Sequence, residues 1–262
     1  MIIDTPNIPE FKLESPKIVE VLDKIRYEIE EKGDEWFEFY WFAREYPRFY
    51  RYHVDNVKFR LRSISKHYEF HKVDFIKNNS AKDLKDCFEL STSTIHSFQI
   101  YWDFEALLGA LNSSLDLIAR ISGVAYEQQT PVSINKISSK KDLTGLVDVF
   151  RENKDKWINR LKDYRDCFVH YTPVDNRVYV TLIRQEESWK MWCKIPVNPN
   201  IREVDGFEFS ENLDLLEYSV ELYENLLSLD KEVANMIEEL YNQGQFPKRI
   251  NNLFYIGQRQ RK

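Results

Sequence analysis

Glycine is scarce in this chain, with 7 in 262 residues against a usual share of about 7%. Neither G-x-G-x-x-G nor G-x-x-x-x-G-K-[S/T] is present, which excludes the glycine loops that cradle nucleotide phosphates. Doubly wound nucleotide folds and turn-rich sandwiches are disfavoured too, because their tight turns consume glycine. Cysteine is sparse as well. Cys87, Cys167 and Cys193 have no C-x-x-C spacing, so no structural zinc site is expected, and the odd count fits reduced thiols. Long apolar runs are missing. The longest stretch without Asp, Glu, Lys or Arg is Leu90–Trp102, 13 residues, where a membrane span needs about 20 apolar residues. Met1-Ile-Ile-Asp-Thr-Pro has neither the basic start nor the apolar stretch of a secretory signal. The expectation is a cytoplasmic protein with no membrane span.

What the chain does have is charge and aromatics: 31% charged, 15% aromatic, 43% hydrophobic. Abundant Glu, Lys and Leu with few turn formers predict long helices. The net charge of −6 conceals a segregation. Residues 44–77 carry 9 bases against 4 acids, residues 203–240 carry 12 acids and only Lys231, and residues 241–262 carry 5 bases and no acid. The acidic total argues against a general nucleic-acid coat and leaves room for a local basic groove.

Ser15-Pro16 predicts a helix start, with Ile18, Leu22, Ile25 and Ile29 on one face and Gly33 at the end. A helical stretch Trp36–Glu45 is expected to stop before Pro47. A heptad stripe of Tyr50, Val54, Val57, Leu61, Ile64, Tyr68, His71 and Phe75 then predicts one helix over 48–77. A long helix over 82–122, interrupted near Ser91 and closed by Gly123, buries Tyr101, Phe104, Leu108, Leu111, Leu115 and Ile118. Shorter helices follow at 141–150 and 155–170. The period then changes to two: Val178, Val180 and Leu182 alternate, as do Trp189, Met191 and Cys193, which predicts a β-hairpin at about 177–195. Ser210 is expected to cap a final acidic helix reaching about Asn242 with a kink at Asp230. The fold class is therefore mainly α. The expected organisation is an N-terminal helical extension over 1–80, a helical bundle with the hairpin over 81–245, and a basic tail over 246–262.

Chemistry concentrates in Tyr164-Arg165-Asp166-Cys167-Phe168-Val169-His170-Tyr171. Arg and His stand five apart at the end of a helix. The spacing R-x4-H also occurs at Arg48/His53 and Arg62/His67, but only Arg165 is followed by Asp, Asn or His. This segment resembles the R-[N/D/H]-x-x-x-H motif of the HEPN (higher eukaryotes and prokaryotes nucleotide-binding) family of helical ribonucleases. The helix before it, Phe104-Glu105-Ala106-Leu107-Leu108 through Asn112-Ser113-Ser114-Leu115-Asp116-Leu117-Ile118-Ala119, is similar to the first long helix of many such domains. The resemblance covers roughly 82–242. It implies an antiparallel helical bundle and a homodimer whose two motif helices face one another. It also implies metal-independent cleavage of single-stranded RNA in a toxin or host-defence setting, with an antitoxin or other regulatory protein as partner. A subgroup regulated by tyrosine modification reads R-x4-H-x-Y; here Thr172 takes the Tyr position, so that regulation is not expected.

The residue types suit this chemistry. RNA supplies its own nucleophile, the 2′-hydroxyl. His170 can act as general base or acid near neutral pH, Arg165 offers a permanent charge and a fork of donors to phosphate, and Asp166 can orient them. No metal and no cofactor is called for. The alternative is a non-catalytic helical module binding RNA or protein. Its contact would be the hairpin or the basic helix 44–77, where bases such as Arg51, Lys58 and Arg62 interleave with Tyr46, Phe49, Tyr50, Tyr52, Phe59, Tyr68 and Phe70 to contact phosphates and stack on bases. That helix is equally able to pair with the acidic segment 203–240. His67 and His71 stand i, i+4 without an evident third metal ligand. Ser113, Ser114 and Asp116 are polar positions able to face the motif helix, and Cys167 reads as a small buried filler.

Overall fold

The structure, a computed structural model, describes residues 2–4, 15–32, 36–78, 87–90, 95–127, 133–138, 145–170, 180–202 and 206–245. The described chain is mainly helical with a small sheet. In order it runs β1 (Ile2–Asp4), α1 (Lys17–Ile29), α2 (Phe37–Asn78), β2 (Cys87–Leu90), α3 (Ile95–Glu127), α4 (Ile134–Ser138) and α5 (Leu146–Asn153). A π-helical turn (Lys154–Ile158) leads into α6 (Asn159–His170), followed by β3 (Val180–Arg184), β4 (Ser188–Pro196), β5 (Phe209–Asp214) and α7 (Leu215–Asn242). Among the described residues no helix is long and apolar enough to cross a membrane.

The chain forms two compact units, each gathered from three stretches. The first takes 1–13, 55–112 and 157–225. It holds the sheet, in which β3 and β4 pair antiparallel as a hairpin, β2 adds antiparallel to β3, β1 adds parallel to β4, and β5 adds antiparallel to β4. Beside it lies an aromatic cluster. Phe104 meets Phe168 at 5.1 Å and Tyr164 at 6.2 Å, and Tyr164 meets Tyr218 at 4.8 Å between ring centroids. Tyrosine hydroxyls tie helices to β4: Tyr101 donates to the Lys194 carbonyl at 2.8 Å and Tyr164 to the Pro196 carbonyl. These rings bury large apolar areas while the Tyr101 and Tyr164 hydroxyls each find an acceptor.

The second unit takes 14–54, 113–156 and 226–262. Ile18, Leu22, Ile25 and Ile29 of α1 are buried, as their spacing predicts. The first amides of α1 have no intrahelical partner. Asp230, mid-way along α7, accepts from the amides of Lys17 and Ile18 and so closes that helix end. Asp116 on α3 does the same for α4, accepting from the Ile134 amide at 3.2 Å.

The heptad stripe of α2 is buried from Tyr50 to Phe75, and the hairpin turns at Gln185–Glu187 between β3 and β4. Several boundaries differ from expectation. Pro47 lies inside α2, which is one helix of 42 residues. Proline forfeits one helical hydrogen bond, and burial of Phe42, Tyr46, Pro47 and Tyr50 around it offsets that loss. Residues 87–90, expected in helix, form β2, because β3 offers a pairing edge from Val180 to Ile183. The interruption expected near Ser91 lies outside the described residues. Ser210 lies in β5 rather than at a helix start. Asp214 is the cap, accepting from the amides of Leu216 at 2.8 Å and Glu217 at 3.0 Å. Helix α3 continues past Gly123 to Glu127, and α5 begins only after Gly145, whose φ of 79° suits glycine. The boundary expected near residue 80 and the basic tail 246–262 lie outside the described residues.

Candidate functional sites

The motif helix α6 has a sharply divided surface. Leu161, Tyr164, Cys167 and Phe168 are buried, while Arg165, Asp166, Val169 and His170 lie on the side facing solvent. The side chains of Arg165 and Asp166 are 42% and 56% exposed, and their charged groups stand 3.5 Å apart. His170 is the last residue of α6 and exposed. Five residues of helix separate Arg165 from His170 by about 140° around the axis and about 7.5 Å along it. The intervening arc carries Val169, 45% exposed. Burial pushes the Cys167 thiol up to about 11, so it stays protonated at neutral pH and serves as filler, not nucleophile.

The basic positions of α2 divide. Arg51 and Arg62 are exposed. Lys58 is a correction: only 3% exposed, it is withdrawn from the surface, with its ammonium 3.7 Å from Asp55. Position 58 borders the Val54/Val57/Leu61 stripe, so its four-carbon stem packs against apolar neighbours. Tyr52 and Phe59 are 69% and 61% exposed, with the Arg60 guanidinium over the Phe59 ring at 5.4 Å, whereas Tyr46, Tyr50 and Tyr68 belong to the core. Arg60 pairs with Asp103 of α3 at 2.7 Å, and His67 faces the other oxygen of the same carboxylate at 3.5 Å. His67 therefore looks to Asp103, while His71 is buried. Among the described residues no three His, Cys, Asp or Glu side chains converge as a metal site.

Two clefts flank the 41–53 stretch of α2, both within the second unit. One, of about 250 Å³, is lined by Arg26 of α1 and by Arg44, Arg48 and Arg51 of α2, with Val19, Asp23 and Pro47. Asp23 lies 3.5 Å from Arg26, and Glu45 pairs with Arg44 at 2.6 Å and Arg48 at 3.7 Å. Four arginines and one carboxylate, Asp23, line this cleft. The other, of about 420 Å³, is lined by Trp41, Tyr46, Phe49 and His53 of α2 and by Ser113, Asp116, Leu117 and Arg120 of α3. Burial lowers the His53 imidazole below its ordinary value, so it is neutral at pH 7. Burial raises the Tyr46 phenol, and the nearby Arg120 charge opposes that shift.

Sequence reasoning missed both clefts. The signals were present but unassigned: the Arg48/His53 spacing, the aromatic and basic interleaving of α2, and the polar Ser113 and Asp116. What joins them is helix pairing, which no local pattern reports. Compared with known protein families, with curated proteins and with solved structures, the chain matches none.

Proposed function

We propose that the protein is a metal-independent endoribonuclease of HEPN type, acting in the cytoplasm as a homodimer on single-stranded RNA. The observation that carries this reading is the outward placement of Arg165, Asp166, Val169 and His170 on one side of α6, whose other side is packed. A motif meant to face its own copy must be solvent-exposed in one chain, with an apolar residue available for the contact.

In the proposed reaction, His170 of one copy takes the proton of an RNA 2′-hydroxyl. The 2′-oxygen bonds to the adjacent phosphorus, the bond from phosphorus to the 5′-oxygen breaks, and that oxygen takes a proton from His170 of the other copy. Arg165 holds the phosphate oxygens as charge builds on them, and Asp166 orients the Arg165 guanidinium. The products are a 2′,3′-cyclic phosphate and a 5′-hydroxyl. A toxin or host-defence role, restrained by a regulatory protein, follows from the family resemblance alone.

End-group analysis of RNA cut by the purified protein tests the assignment. Cyclic phosphate and 5′-hydroxyl ends are expected, whereas 3′-hydroxyl and 5′-phosphate ends would contradict it. A second reading, RNA binding without cleavage, is favoured by the four-arginine cleft. Arg44, Arg48 and Arg51 present forked donors suited to phosphate. RNA retained with no cut under any condition would select that reading.

A further inference from the structure

The cleft between α2 and α3 in the second unit combines features that a purely structural contact has no need of. We propose that it binds a nucleotide, with the base against Trp41 and Phe49 and the phosphate on Arg120.

Four observations support the assignment. The cleft volume of about 420 Å³ falls in the range of small-molecule sites, about 300–1,000 Å³. Phe49 is 42% exposed where it lines this concave surface. An exposed aromatic ring offers the flat platform on which any base stacks, and Trp41 lines the same cleft about two helical turns away. Asp116 and Arg120 stand i, i+4 on α3 in the orientation that favours an ion pair. Yet Asp116 accepts from the Ile134 amide, and Arg120 forms no ion pair among the described residues. Among the described residues no carboxylate claims this guanidinium, which lies near the Tyr46 phenol in the cleft where an anion would meet it. Last, Ser113, Asp116 and the neutral His53 line the same cleft. Hydroxyl, carboxylate and imidazole nitrogen together match the hydroxyls of a ribose or the amino edge of a base. An apolar peptide side chain would leave the Arg120 guanidinium desolvated, and a bare phosphate would leave the aromatic wall unused.

The nucleotide can come from two sources, a free mononucleotide or one residue of an RNA chain. The site lies on residues other than Arg165, Asp166 and His170 and stands whether or not the protein cuts RNA.

Isothermal titration of the full chain with each of the four ribonucleoside 5′-monophosphates, with inorganic phosphate and with a short oligoribonucleotide tests the proposal. At least one mononucleotide is expected to bind about tenfold or more tighter than inorganic phosphate. Arg120→Gln and Phe49→Ala should each weaken it by about tenfold or more. Phe49→Leu, which keeps apolar volume and removes the ring, should weaken it as well. His170→Ala should leave it unchanged, which separates this site from the proposed catalytic one. Oligoribonucleotide binding abolished in Arg120→Gln, with no mononucleotide bound, would support the site with RNA as its source. The proposal is overturned if neither mononucleotide nor oligoribonucleotide binds at millimolar concentration. Folded Arg120→Gln and Phe49→Leu variants that bind like the wild type would overturn it equally.

Discussion

Tyr164 donates its hydroxyl to the carbonyl of Pro196 at 2.5 Å, a bond across 32 residues that fixes the motif helix to the sheet. Arg165 follows it directly. The residue that anchors the helix and the residue that would meet phosphate are neighbours about 100° apart around the axis, one on the packed face and the other on the open face. Burial pushes the Tyr164 phenol up to about 12, so the hydroxyl remains a donor throughout the physiological range.

Tyr164→Phe should therefore cost stability without removing any charge from the surface. The buried Pro196 carbonyl loses its donor, which costs about 1–3 kcal/mol. Urea denaturation reads that loss. His170→Ala, at an exposed helix end, should shift the same curve by less than about 0.5 kcal/mol. Comparable losses in the two variants would contradict the division of α6 into an anchoring face and an open face.

Asp214 and Asp230 are both pushed up to about 6, chiefly by burial. Their folded values lie above the ordinary unfolded value of about 3.9, so each favours folding most when protonated. Stability from these groups is fully present below pH of about 4 and is lost as pH rises through about 6, by up to about 3 kcal/mol each. Asp230→Asn lowers stability overall, since its amide nitrogen cannot accept from both the Lys17 and Ile18 amides. The gap between wild type and variant should nevertheless be wider at pH 4.5 than at pH 7. A gap that stays constant or widens with pH would refute the burial account.

Charge reversal at Arg48 and Arg51 should weaken RNA binding and flatten its salt dependence, because the slope for single strands falls by about 0.7 for every phosphate the protein no longer neutralises. Arg48 is 71% exposed at its side chain, so the fold should tolerate the change. Lys58→Met should leave RNA affinity where it was, as this side chain is 3% exposed. Filter binding across a salt series measures both. An equal effect of Lys58→Met and the arginine reversals would argue against the cleft as the place where phosphate is held.

The α2 stripe and the β3–β4 hairpin were legible because their residues bury at the periods of a helix and a strand. Pro47 misled, since a local rule for helix termination competes with burial that only tertiary packing provides. Strands β2 and β5 were not legible, because a run of four to six residues becomes a strand only when an edge such as β3 or β4 lies beside it. At the candidate sites, Arg165, Asp166 and His170 could be named from spacing, and their outward placement follows from Tyr164 and Phe168 packing inward. The pairing of His53 with Asp116 and Arg120 in one cleft depends on two helices meeting, which neither helix announces alone.

RNA cleavage by the purified protein in EDTA, with His170→Ala measured beside it at matched thermal stability, tests the central claim most directly. The account predicts that the wild type cuts single-stranded RNA and that the variant, folded and equally able to bind it, does not. Equal cutting by the two proteins would contradict it.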